Sequence, residues 1–148
     1  MSMQSRTLDR ASRLANELVV DALFIVRRYP WHWPAVAVGL ALGFTGGYAI
    51  TGLGFLPFAA AFVLGGLGMN IGSDFRFITR TPTRILLMDS SRVIGLPTRL
   101  LSEVHAEQIS VTPSGPAMHL TISGVVHVMA RQHLARLQRM LLQVPAAT

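Results

Sequence analysis

The sequence predicts a membrane-embedded pair of α-helices joined to a small α+β domain. Three observations lead to this fold class. Residues 29–73 contain no Asp, Glu, Lys or Arg, whereas arginines are frequent on both sides of that stretch. Hydrophobic residues make up 51% of the chain and charged residues only 14%, as in an integral membrane protein with modest exposed parts. The C-terminal half alternates short apolar and polar runs and then shows one amphipathic helical pattern.

Length and composition limit the class of protein. A chain of 148 residues can hold a two-helix hairpin and at most one small folded domain, which excludes a large enzyme. The chain has no cysteine, so disulfides and thiolate zinc sites are excluded as well. The net charge is +6 at pH 7, and every basic residue except histidine is an arginine. Beside a membrane segment such charge indicates topology and contact with anionic lipids rather than nucleic-acid binding.

Residues 1–30 are predicted to form an amphipathic N-terminal helix. Apolar side chains from Leu8 to Ile25 recur at spacings near three and four, and Thr7 is the predicted N-cap of a helix over residues 7–28. Two placements stay open: the helix lies in the cytoplasmic membrane interface, or it packs on the C-terminal domain. The mixed charges of this segment differ from those of a signal peptide, so we expect an uncleaved anchor to follow.

Residues 31–75 are predicted to form a two-helix transmembrane hairpin. The apolar stretch is too long for one span of about 20 residues and fits two. The first span is expected from residue 33 or 34 to residue 50, the second over residues 55–71, and the turn at residues 51–54. The predicted helix-packing and partner-binding positions are Gly39, Gly43, Gly47, Ala61, Gly65, Gly68 and Gly72. Either these small residues pack the two spans on each other, or they dock on helices of another subunit.

The positions of the arginines predict the orientation of the hairpin. Two arginines precede the first span and three follow the second, whereas the turn carries no charge. By the positive-inside rule, both termini face the cytoplasm. The predicted contacts for lipid head groups are Arg27, Arg28, Arg76, Arg80 and Arg84. The predicted interfacial anchors are Trp31 and Trp33.

Residues 76–148 are predicted to form a cytoplasmic antiparallel sheet capped by a C-terminal helix. Strands are expected at residues 84–88, 92–96, 108–112, 117–123 and 125–129, with turns at residues 89–91 and 113–116. Met118, Leu120 and Ile122 alternate with polar neighbours, which indicates a sheet with one covered face. Residues 132–142 form the amphipathic pattern of the capping helix.

The order of these elements resembles the bacterial pleckstrin-homology-like (PH-like) domains. The matching segments are FITRTPTRILLMD, VIGLPTRLLSEVHAEQISV, MHLTISG and VVHVMA, followed by a helix. The residues that carry the likeness are Thr81, Arg84, Pro97, Leu100, Val104, Ile109 and Val111. Membrane-anchored members of that family place a two-helix hairpin directly before the domain. The resemblance implies a PH-like sheet, no catalytic residues, and binding of lipid head groups or proteins at a membrane. Because the chain is shorter than a full seven-stranded barrel, we expect a sheet that is truncated or completed by another chain.

No motif indicates catalysis. The five histidines, His32, His105, His119, His127 and His133, have no spacing that defines a metal site, so we expect neither metal nor cofactor. A G-x-S-x-G elbow and a phosphate-binding loop are also missing.

The sequence therefore favours a non-enzymatic accessory or scaffold subunit of the bacterial inner membrane. Its expected partners are other membrane-protein subunits, anionic lipids and a second copy of the chain, and nucleic acid is not expected. Two alternatives stay open: a self-assembling pore of the holin type, and a small component of a secretion or conjugation apparatus.

Overall fold

The computed structural model describes residues 2–52 and 54–143. The chain divides into two compact units. One, called the sheet unit here, combines Met1–Arg27 with Phe75–Thr148. The other, called the helical unit, is Arg28–Asp74. The segments that flank the apolar stretch on its two sides thus fold together.

The sheet has seven antiparallel strands in the order β4-β3-β2-β1-β7-β6-β5. The strands are β1 (Asp21–Arg28), β2 (Ser73–Arg80), β3 (Ile85–Ser90), β4 (Pro97–Val104), β5 (Ile109–Ser114), β6 (Ala117–Ile122) and β7 (Val125–Ala130). The expectation of a truncated sheet was wrong, because β1 and β2 supply strands that the sequence interpretation omitted. With its C-terminal helix, this sheet is compatible with a PH-like fold.

The larger of two apolar clusters fills one face of the sheet. Its fully buried side chains come from both halves of the sheet, for example Ile85 of β3 and Leu120 of β6. Helix α4 (Leu134–Leu142) adds Leu137 and Met140 to the same core, after a 3-10 turn at Arg131–His133. Since strands at opposite ends of the order share one core, the sheet curves around it. The predicted capping helix is confirmed.

Helix α1 (Met3–Ala15) covers the opposite face of the sheet. Ala11 and Ala15 pack there against Phe77, Leu86 and Met88. Of the two placements that the sequence left open, the helix thus adopts the one on the sheet.

The predicted helix over residues 7–28 was wrong in both its start and its end. Ser2 rather than Thr7 is the N-cap, and its hydroxyl accepts the Ser5 N–H at 3.2 Å. The helix ends at Asn16, whose φ of 53° is left-handed, and β1 follows. Leu23 and Ile25 lie two positions apart on β1, and both are buried in the core, as expected for a strand. The sequence interpretation overlooked this alternation because the apolar residues of the segment also fit a helical spacing.

The strand predicted at residues 92–96 was also wrong. Residues 91–96 form a loop, in which the Ser91 hydroxyl accepts the N–H groups of Val93 and Ile94 at 3.3 Å. Gly95 adopts a left-handed φ of 62°, which a strand does not allow, and β4 begins only at Pro97. Similarly, Asp89 and Ser90 belong to β3 and residues 113–114 to β5, so both predicted turns were placed too early.

The helical unit contains α2 (His32–Thr51) and α3 (Phe55–Ile71). Within the described residues, α2 is long and apolar enough to cross a membrane, and only 6% of its most apolar segment is buried in the protein. Helix α3 is equally apolar in character but shorter, at 17 residues. The bounds of both helices lie within two residues of the predicted spans.

Candidate functional site

The two helices of the helical unit pack against each other along the glycines of α2. A Cβ atom on Gly39 would lie 2.3 Å from the Leu64 carbonyl oxygen. On Gly43 it would lie 2.4 Å from both the Ala60 carbonyl oxygen and the Ala61 Cα. These distances are far shorter than van der Waals contact, so the helices can approach this closely only where α2 carries glycine.

The same contact continues to both ends of the helix pair. A Cβ on Gly47 would lie 2.7 Å from the Pro57 Cα, and one on Gly68 would lie 2.4 Å from the Ala35 carbonyl oxygen. Gly65 faces the flexible side chain of Leu40 on α2. All seven small residues singled out in the sequence lie on the contact between α2 and α3. This placement favours packing of the two helices on each other over docking on another subunit.

Gly46 and Gly66 behave differently from the other helix glycines. A Cβ on either residue would meet no atom within 4 Å. These two glycines therefore lie outside the contact between α2 and α3.

The outer surface of the helical unit is made of large apolar side chains. Ile50, Phe55 and Phe62 are each at least 82% exposed, whereas the small residues Gly43, Ala61, Gly65 and Gly68 are buried. Trp31 and Trp33, the predicted interfacial anchors, are exposed just before and at the start of α2, and Trp31 stacks on Tyr29 with ring centroids 5.6 Å apart. An exposed surface of large apolar side chains is compatible with association with a membrane.

Polar side chains join the two ends of the helical unit. The Tyr29 hydroxyl donates to Asp74 Oδ2 at 2.5 Å, and the Tyr29 N–H donates to the Gly72 carbonyl at 3.1 Å. Next to this pair, the Ser73 hydroxyl lies 3.1 Å from His32 Nδ1, and both side chains are buried. Sequence reasoning missed this cluster because its members lie more than 40 positions apart.

The ring of His32 is buried beside Ser73. Its Nε2 has no hydrogen-bond partner among the residues that the structure describes. The neighbouring carboxylate, that of Asp74, accepts the hydrogen bond from the Tyr29 hydroxyl.

Three basic side chains of the sheet unit meet on neighbouring strands. Arg76 Nη1 donates to Nε2 of the buried His127 at 3.3 Å, and Nδ1 of His127 donates to the Val125 carbonyl at 3.0 Å. Burial lowers the pKa of His127 to about 4, and the charges of Arg76 and Arg27 act in the same direction. His127 is therefore neutral at pH 7 and serves as the acceptor for Arg76.

Arg84 is held between two carboxylates. Its Nε donates to Glu17 Oε2 at 3.0 Å and its Nη1 to Glu103 Oε2 at 3.2 Å. The bond from Thr83 and those from Arg84 lower the pKa of Glu17, and the Glu17 and Glu103 carboxylates raise the pKa of Arg84. Arg84 thus links the segment after α1 to β3 and β4.

The five arginines predicted to contact head groups do not form one cluster. Arg27 and Arg76 lie near His127, Arg28 is exposed at the end of β1, and Arg84 is engaged by carboxylates. Arg80 is half-buried at the last residue of β2, about 13 Å along the strand from Arg76.

The histidine and acidic side chains do not form a candidate metal site in the part of the chain that the structure describes. Within residues 2–52 and 54–143, no three histidine, aspartate or glutamate side chains are grouped so that they could hold a metal ion.

Comparison of the chain with protein-family models, with curated proteins and with solved structures finds no significant match in any of the three sets.

Proposed function

We propose that the chain is a non-enzymatic accessory subunit of a bacterial inner-membrane complex. In this proposal α2 and α3 cross the membrane as a hairpin and both termini are cytoplasmic. The sheet unit is a PH-like adaptor that meets other subunits and anionic head groups at the cytoplasmic surface.

One observation carries the proposal: the sheet unit is built from chain on both sides of the helical unit. Strand β1 precedes α2, strand β2 follows α3, and the two are neighbours in one sheet. A folded sheet cannot be divided between two sides of a membrane, because its strands are joined by backbone hydrogen bonds. If α2 crosses the membrane, the chain must therefore return before β2, and α3 is the helix available for that return.

The dimensions of the two helices support this path. At 1.5 Å per residue, the 20 residues of α2 extend about 30 Å and the 17 residues of α3 about 26 Å. The hydrocarbon core of a bilayer is about 30 Å thick, and a mismatch of a few ångströms is met by local thinning. The glycine contact pairs the helices over their whole length, so α3 crosses as the partner of α2.

Partner docking is assigned to the open positions Gly46 and Gly66. The seven small residues singled out in the sequence lie in the contact between α2 and α3, so a bulky side chain there would damage the hairpin before it affected a partner. At Gly46 and Gly66 a larger side chain would fill only the space that a partner helix could use.

The proposal is tested by membrane extraction and co-purification. We expect the protein to stay in the membrane pellet after alkaline carbonate washing, and to elute from a mild detergent with other membrane subunits identified by mass spectrometry. Gly46→Leu and Gly66→Leu should lower the recovery of those subunits, whereas Val63→Leu, at an exposed and already bulky position, should not. Release by carbonate, or recovery of partners unchanged in both glycine variants, would contradict the proposal.

A further inference from the structure

The loop between β3 and β4 carries two exposed apolar side chains at its tip. Val93 is 92% exposed and Ile94 is 50% exposed. They stand outside the open cleft of about 450 Å³ that is lined by α1, β1, β2, Gly95 and the start of α4. Two adjacent apolar residues at a loop tip form a projecting surface that water solvates poorly. The proposed function gives this surface no role.

Hydrogen bonds within the loop hold the tip in place. The Ser91 N–H donates to the Leu96 carbonyl at 2.9 Å, and the Gly95 N–H donates to the Ser91 carbonyl at 3.0 Å. The Ser91 hydroxyl also accepts the N–H groups of Val93 and Ile94. Turning the two apolar side chains inward would break these bonds. The loop therefore presents them to whatever lies in front of it.

The tip lies at the end of the sheet where the chain enters and leaves the helical unit. Strand β1 ends, and β2 begins, at that end. Arg76 of β2 pairs with Asp89 of β3, so β3 ends beside the start of β2 and the loop follows directly. Only residues 29–31 separate β1 from α2. At about 3.5 Å per residue, this link ties that end of the sheet to within about 15 Å of the first residue of α2.

The charge around the tip favours an anionic surface. Arg92 directly precedes the tip and is exposed. The side chain of Met3, which is 65% exposed, lies against Gly95, and the exposed Arg6 follows one turn later on α1. Neither residues 91–96 nor the first turn of α1 contain a carboxylate, and Asp89 is already paired with an arginine of β4. Apolar side chains beside arginines match acyl chains below anionic head groups.

We propose that Val93 and Ile94 insert into the cytoplasmic leaflet of an anionic membrane. The loop then gives the sheet unit a lipid contact of its own, beside the chain that joins it to α2 and α3. This inference rests on the proposed function, because the hairpin brings that end of the sheet to the membrane. It names a surface for the head-group contact that differs from the five arginines predicted from the sequence.

A fluorophore on the loop measures the insertion. Because the chain has no cysteine, Val93→Cys can be labelled alone with the dye NBD in the full-length protein, which is then placed in nanodiscs of phosphatidylcholine and phosphatidylglycerol. A nitroxide on the acyl chain near the head group should quench this dye more than one near the chain end, since surface segments enter only about 5–10 Å. Pro82→Cys, at an exposed position of the turn between β2 and β3, lies at the other end of these strands and should not be quenched.

Leu42→Cys separates a failure of this inference from a failure of the proposed function. Leu42 is 60% exposed in the middle of α2, so its dye should be quenched most by the nitroxide near the chain end. Quenching at Leu42 without quenching at Val93 would overturn the insertion and leave the hairpin intact. The absence of quenching at both positions would overturn the proposed function. A dye at Val93 that leaves water only when other membrane subunits are present would indicate a protein contact and would also overturn the insertion.

Further substitutions in the Val93→Cys protein test the apolar and charged parts of the contact. Ile94→Ser should lower the ratio of inserted to free loop about tenfold, because half of this side chain gains no burial in lipid. Arg6→Gln should lower the ratio about fivefold. Arg13→Gln removes the same charge about 10 Å further along α1, beyond a Debye length, and should have a much smaller effect.

The lipid composition gives the last comparison. Quenching at Val93 should be weaker in nanodiscs of phosphatidylcholine alone, whereas quenching at Leu42 should stay the same. Equal quenching at Val93 in neutral and anionic nanodiscs would overturn an anionic-lipid contact at this loop. So would unchanged quenching in the Ile94→Ser protein, or equal effects of Arg6→Gln and Arg13→Gln.

Discussion

Gly43 and Gly46 lie on the same helix, and their replacement by alanine should have opposite effects. At Gly43 an alanine Cβ would lie 2.4 Å from the Ala60 carbonyl oxygen and the Ala61 Cα, both on the backbone of α3. At Gly46 it would meet nothing within 4 Å. The two substitutions therefore add the same methyl group, once into a helix contact and once into open space.

The size of the difference follows from these distances. An ordinary contact between a methyl carbon and a neighbouring backbone atom needs at least about 3.4 Å, so Gly43→Ala forces the helices apart locally by about 1 Å. Overpacking of this kind costs about 1–3 kcal/mol. Gly46→Ala instead removes a flexible residue from a helix, which is favourable by up to about 1 kcal/mol. The free energies of unfolding should therefore differ by about 1–4 kcal/mol.

Tryptophan fluorescence measures this difference without added probes. Both tryptophans of the chain, Trp31 and Trp33, belong to the helical unit. Unfolding in mixed micelles with a rising fraction of sodium dodecyl sulfate should shift to a lower fraction for Gly43→Ala and to an equal or higher one for Gly46→Ala. Equal midpoints for the two variants would refute the assignment of Gly43 to the contact between α2 and α3.

Three further predictions concern the sheet unit. The pKa of His127 is about 4 in the folded state and 6.5 in the reference state, so folding favours the neutral ring. The stability that this provides is complete above pH 6.5 and should fall by about 3 kcal/mol as the pH drops to 4. Urea unfolding should show a shallower loss for His127→Gln, and an identical pH profile for both proteins would contradict the burial of this ring. Arg84→Gln should lower the melting temperature followed by circular dichroism at low salt, and the gap from the native protein should narrow in 1 M salt because the pairs with Glu17 and Glu103 are partly exposed. A gap that does not depend on salt would speak against ion pairing. Leu137→Ala should lower the free energy of unfolding in urea by about 2–5 kcal/mol, since this side chain is fully buried. A loss below 1 kcal/mol would mean that α4 does not cap the core.

The bounds of the two apolar helices could be predicted closely from the sequence. Residues 29–73 have no charge, and a Gly-containing turn divides them into two runs of helical length. The i, i+4, i+8 spacing of Gly39, Gly43 and Gly47 also predicted a shared helix face, and these residues line the contact with α3. Such local patterns are sufficient because a helix satisfies its own backbone hydrogen bonds.

The number of strands could not be predicted in the same way. Strand β1 pairs with β2 across the whole helical unit, and no local pattern reports a partner so far away in sequence. The apolar spacing from Leu18 to Ile25 fitted a helix, although Val19, Val20, Ile25 and Val26 are β-branched residues that favour a strand. In the folded protein this segment is a strand, because it pairs with β2 on one side and β7 on the other.

The roles of the arginines depended on tertiary structure as well. Arg84 carries the same charge as Arg28 in the sequence, but folding brings Glu17 and Glu103 to it and leaves Arg28 exposed. The positive-inside pattern reports on the side of the membrane and does not distinguish an arginine in an ion pair from one that faces lipid. The cleft lined by α1, β1, β2, Gly95 and the start of α4 was missed because its walls come from five separate segments.

Cysteine accessibility tests the central claim most directly, because the chain has no cysteine of its own. Single cysteines are placed at the exposed positions Ser2, Thr51 and Thr98, which lie before α1, at the end of α2 and on β4. A membrane-impermeant maleimide is then added to intact or permeabilised cells. The account predicts that Thr51→Cys is labelled in intact cells, whereas Ser2→Cys and Thr98→Cys are labelled only after permeabilisation. Labelling of Ser2→Cys and Thr98→Cys from opposite sides, or of all three from one side, would contradict a hairpin that crosses the membrane twice.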